Sequence, residues 1–99
     1  MFWEINTEAP AYTAMENDKL FQVLDERLEA NIRLQRQKVL EIARRINRHI
    51  VPDDLFNPQD FPELQRSTLF TYADGLLAGL LSAQMALRAE WKRLEPRQS

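Results

Sequence analysis

The chain offers few side chains that could act as nucleophiles, metal ligands or general acids and bases. It has no cysteine, which excludes disulfides, thiolate metal sites and cysteine nucleophiles, and its single histidine, His49, has no second imidazole to pair with. Four acids lie between residues 51 and 66, but they lack the alternating oxygen ligands and the central glycine of a calcium loop. We therefore expect no metal, no cofactor and no catalytic residues, and the sequence favours a protein that is not an enzyme.

Arginine and lysine are concentrated between residues 33 and 49. At 100° per residue, most of these side chains fall opposite the apolar face of a helix and form a basic stripe suited to phosphates, nucleic acid or an acidic protein surface. The candidate anion-binding residues are Arg33, Arg36, Arg44, Arg45 and Arg48. A second interpretation is that acids near a helix N-terminus and bases near its C-terminus complement the helix dipole. The net charge of −2 and the absence of aromatic residues within the stripe favour this second interpretation, so nucleic acid is not an expected partner.

Helices must position these residues, and the pattern predicts an all-α protein. Between residues 13 and 50 there is no glycine or proline, and apolar residues recur every three or four positions, which predicts one long helix ended by Pro52. Residues 51–66 are predicted to form a proline-rich connector with a short helical turn at Asn57-Pro58, and residues 67–95 a second helix. Residues 1–12 are predicted to form an arm anchored by its aromatic side chains, and 96–99 a tail. The 99 residues fit a single domain.

The predicted second helix contains both glycines of the chain, four residues apart. A glycine inside a helix costs about 1 kcal/mol relative to alanine, so the pair predicts the close approach of another backbone. Close packing within one chain is one interpretation, but because this helix is apolar over much more than the usual third of its circumference, the pattern favours a second copy as the partner. Two antiparallel hairpins would then pair into a dimeric four-helix-type bundle. The residues predicted at this interface are Gly75, Ala78, Gly79, Ser82, Ala83, Ala86, Leu77 and Leu81.

Several polar residues fall on or beside the predicted apolar faces. They are Asn31, Gln35, Lys38 and Gln84. Such residues favour a polar layer between the helices that fixes their register, as a buried asparagine does in coiled coils. A ligand pocket is the alternative interpretation.

The sequence does not identify a biochemical task. The N-terminus has no basic segment and no apolar run, so we expect a cytoplasmic protein, and Asp74 and Gln84 interrupt the most apolar stretch, so a membrane is not an expected partner. The pattern favours a small, non-catalytic interaction or regulatory module that acts as a homo-oligomer, with another protein as a further partner. Two alternatives stay open. One is binding of nucleic acid or another polyanion through the basic stripe, and the other is an enzyme whose site is assembled across the dimer from Arg27, Gln35, Lys38 and Gln84.

Overall fold

The structure, a computed structural model, describes residues 13–94, which form two long helices joined by a turn-rich connector. The elements are α1 (Thr13–Ile46), two 3₁₀ turns (Pro52–Phe56 and Pro58–Asp60), the single-turn helix α2 (Pro62–Gln65) and α3 (Thr68–Leu94). Helix α3 runs back antiparallel to α1, since Arg88 near its end contacts Asp25 in the first half of α1. No strand occurs within residues 13–94, so the prediction of an all-α hairpin is confirmed for this range. The predicted arm and tail lie outside the described residues.

Helix α1 ends at Ile46, four residues before the predicted boundary at residue 50. The Asn47 side chain accepts a hydrogen bond from the His49 backbone N–H at 3.0 Å, and such a local bond competes with helix continuation. The chain then turns so that Ile50 enters the core, where it is 1% exposed. The Arg44 guanidinium holds this turn by donating from Nε to the Ile50 carbonyl at 3.0 Å. Arg48 consequently lies beyond the helix and not on its basic stripe.

The connector is ordered by proline and by local hydrogen bonds. Each of its three helical turns begins with a proline, and the turn at Pro58 follows Asn57 as predicted. The amide of Asn47, the residue that follows α1, donates to Glu63 Oε2 at 2.9 Å, and Leu64 beside Glu63 is fully buried, so the connector is fastened to the end of α1. Phe56, in the first 3₁₀ turn, is by contrast 72% exposed.

The core is a narrow strip between α1 and α3. Its buried apolar residues are Ile32, Val39, Ala43, Ile50, Leu64, Phe70, Ala73 and Leu77. Ser67 caps the start of α3 by accepting a hydrogen bond from the Phe70 N–H at 3.1 Å, which directs Phe70 into this strip. The Cα radius of gyration is 19.1 Å, against about 13 Å for a compact domain of 100 residues. The hairpin is therefore one layer of helices, and much of its apolar surface is left uncovered by the described part of the chain.

Candidate interaction surface

Two glutamines fix the position of α3 along α1. Gln35 Nε2 donates to the Ala73 carbonyl at 3.0 Å, and Gln84, which is 5% exposed, donates to Glu29 Oε1 at 2.7 Å. The two bonds lie about 16 Å apart along α3, so they are separate cross-links and not the single polar layer that was predicted. The other two members of that predicted layer, Asn31 and Lys38, are exposed on α1.

A charged contact that the sequence pattern does not predict adds a third cross-link between the helices. The Arg88 guanidinium binds both oxygens of Asp25, from Nε and from Nη2, each at 2.9 Å. Hydrogen bonding by Arg88 lowers the pKa of the Asp25 carboxyl, and the same bond raises the pKa of Arg88. One helical turn away, the rings of Phe21 and Trp91 stack with their centroids 4.8 Å apart. These contacts fix the open end of the hairpin and the rotation of α3 about its axis.

The small residues of α3 that were predicted at the interface point away from α1. The predicted interface residues other than the two leucines are all exposed, and a Cβ atom built on Gly75 or Gly79 would meet no atom within 4 Å. Leu77 and Leu81 differ, since Leu77 is buried in the core and Leu81 packs against it. The close helix approach that the glycines predict is therefore absent within the described part of one chain.

Larger apolar residues continue this exposed row toward the start of α3. Leu69, Tyr72 and Leu76 are 56%, 65% and 46% exposed. Together with three of the six small residues they form what we call the outer seam: Leu69, Tyr72, Leu76, Gly79, Ala83 and Ala86. The spacing alternates strictly between three and four residues, which is the spacing of the contact positions of a coiled coil. This spacing is present in the sequence, but α3 has apolar residues on other sides as well, so the spacing alone does not identify the seam. The structure identifies it by showing which side of α3 is exposed.

The candidate anion-binding arginines do not converge on one site. All five are exposed, but Arg44 is engaged with the Ile50 carbonyl and Arg48 lies in the turn after α1. Arg36 instead lines a groove on the side of the hairpin that carries the first 3₁₀ turn. The prediction that these residues bind an anion stays a prediction.

The groove beside Arg36 has a volume of about 320 Å³ and is bounded by α1, the first 3₁₀ turn and α3. Its lining includes Leu40, Leu55, Phe56, Asp74 and Leu77. Partial burial raises the pKa of the Asp74 carboxyl, and no cation among the described residues pairs with it. Within residues 13–94, no group of three histidine, aspartate or glutamate side chains is placed to hold a metal ion.

Comparisons with known proteins give no relative for this chain. No protein-family model, no curated protein and no solved structure matches it. Neither long helix, over its described length, has an apolar stretch sufficient to cross a membrane.

Proposed function

We propose that this protein is a non-catalytic interaction module that self-associates through the outer seam of α3. The observation that supports the proposal is the seam itself, in which six successive positions at coiled-coil spacing are apolar or small and exposed in the single chain. Leu69, Tyr72 and Leu76 would gain from burial, since each apolar side chain of this size contributes about 1.5–3 kcal/mol when it is fully removed from water. The non-catalytic part of the proposal rests on the sequence, which lacks cysteine and has one histidine.

The surroundings of the seam also favour a helix as the partner. Between Leu69 and Leu87, Asp74 is the one charged residue, and it lies on the flank that lines the groove and not on the seam. A charge-free strip about 25 Å long matches the length of contact that another helix would make. Exposed contiguous apolar surface of this kind is typical of protein–protein interfaces.

The proposal can be tested with two charge substitutions on the same helix. Leu76 and Met85 are nine residues apart, which places them on opposite sides of α3, and both are exposed, Met85 at 70%. We expect sedimentation equilibrium to give an oligomer for the wild type and for Met85→Glu, and a monomer with unchanged helix content for Leu76→Glu. A monomeric wild type, or equal weakening by both substitutions, would contradict the proposal.

A further inference from the structure

The outer seam changes in size along its length. Its first three positions, Leu69, Tyr72 and Leu76, are large, and its last three, Gly79, Ala83 and Ala86, are small. Resting on the proposed self-association, we infer that the partner is a second copy of this chain whose α3 lies antiparallel, with Leu76 of one copy level with Gly79 of the other. The molecular two-fold axis then passes midway between these two positions.

In this register each contact layer combines one large and one small residue. Leu69 lies opposite Ala86 of the second copy, Tyr72 opposite Ala83, and Leu76 opposite Gly79. The large side chains of each helix thus fill the space left by the small residues of the other, as close packing requires. A parallel pair would instead place Tyr72 against Tyr72 and Gly79 against Gly79, which overpacks one end of the seam and leaves cavities at the other.

The charges of α1 support the same register independently. Gln35 contacts Ala73 and Glu29 contacts Gln84, so the level midway between Leu76 and Gly79 on α3 lies beside Arg33 on α1. This is the point at which the charge of α1 changes sign. Residues 16–29 hold five acids and two bases, whereas residues 33–48 hold six bases and one acid.

An axis at this level therefore places unlike charges together at each end of the bundle. The acidic half of one α1 lies at the same end as the basic half of the other. Asp25 and Glu29 already bind Arg88 of their own chain, so the acids of α1 that this arrangement sets at the end of the second copy's basic half are Glu16, Asp18 and Glu26, which is favourable. A parallel pair would put the two acidic halves together at one end and the two basic halves at the other. The size gradient of α3 and the charge boundary of α1 thus select the same antiparallel arrangement.

Disulfide trapping tests the register directly, because the natural chain has no cysteine and each single substitution introduces one thiol per copy. Leu69→Cys and Ala86→Cys, one of them tagged to differ in mass, are refolded together and equilibrated with oxidised and reduced glutathione. The antiparallel register predicts that the mixed disulfide forms and that neither variant cross-links alone. Residues 69 of the two copies would lie about 25 Å apart, far beyond the roughly 7 Å between Cα atoms that a disulfide allows.

A mixture of Leu69→Cys with Met85→Cys is the matched control and should give no mixed disulfide, since Met85 lies on the other side of α3. Self-cross-linking of each variant alone would overturn the antiparallel arrangement. Absence of any cross-link, while sedimentation equilibrium still gives a dimer for the reduced variants, would overturn the register and place self-association elsewhere. A monomeric wild type would overturn the proposed function itself.

Discussion

Gly79 is the position at which a larger residue should stabilise the monomer and weaken the proposed dimer. In the single chain, a Cβ atom at Gly79 meets nothing within 4 Å, so the methyl group of an alanine can be added without steric cost. In the proposed dimer the same position faces Leu76 of the second copy. Replacing Gly79 with alanine or leucine therefore separates helix stability from association.

The expected magnitudes follow from these two environments. Gly79→Ala should raise the free energy of unfolding of the monomer by about 1 kcal/mol, because alanine is the better helix former and no contact is disturbed. Gly79→Leu should also stabilise the monomer, by a little less. In the dimer, however, the added leucine overpacks two symmetry-related layers at about 1–3 kcal/mol each. Since 1.4 kcal/mol is a factor of ten, the dissociation constant should rise about 30-fold or more.

Two measurements check the prediction. Urea unfolding followed by circular dichroism should be done at a protein concentration below the dissociation constant, because association adds to apparent stability. Sedimentation equilibrium then gives the dissociation constant. Gly75→Ala is the matched control, since it makes the same helix-stabilising change beside the seam and should leave association unchanged. An unchanged dissociation constant for Gly79→Leu would refute the interpretation of the seam, and a destabilised Gly79→Ala monomer would refute the open-space argument.

Two carboxyl groups should affect stability with opposite pH dependence. Arg88 lowers the pKa of Asp25 in the folded state, so this stabilisation is present at neutral pH and is lost as the pH falls from the ordinary carboxyl pKa of about 3.9 through the lowered value. Asp25→Asn should therefore lower the urea midpoint at pH 7, with the difference from wild type shrinking in acid; a constant difference would contradict this account. Burial raises the pKa of Asp74, so wild-type stability decreases as the pH rises from about 3.9 through the raised value. Asp74→Asn should raise the urea midpoint at pH 7 and match wild type in acid, and a variant less stable than wild type at pH 7 would show that the carboxylate has a favourable partner.

The sequence alone determined the helices and most of their ends. The absence of glycine and proline across α1, the prolines of the connector and the Ser67 cap each act through neighbouring residues, so these elements could be predicted from local patterns. The sequence pattern predicts the end of α1 wrongly, because Ile50 fits the helical apolar spacing although a local turn after Ile46 brings it into the core. The spacing of apolar residues does not distinguish a residue buried on the face of a helix from one buried by the turn that follows it.

Only the tertiary structure decided which side of α3 faces α1. The helix is apolar on nearly all sides from Leu69 to Leu87, so its periodicity does not single out one face. Cross-links between residues far apart in the chain, from Gln84 to Glu29 and from Arg88 to Asp25, set the rotation of α3 and bury Leu77. The same rotation leaves Leu76 and Gly79 outward. The size gradient of the seam and the charge boundary of α1 are both present in the sequence. The tertiary contacts place the middle of the seam, between Leu76 and Gly79, beside the charge boundary at Arg33.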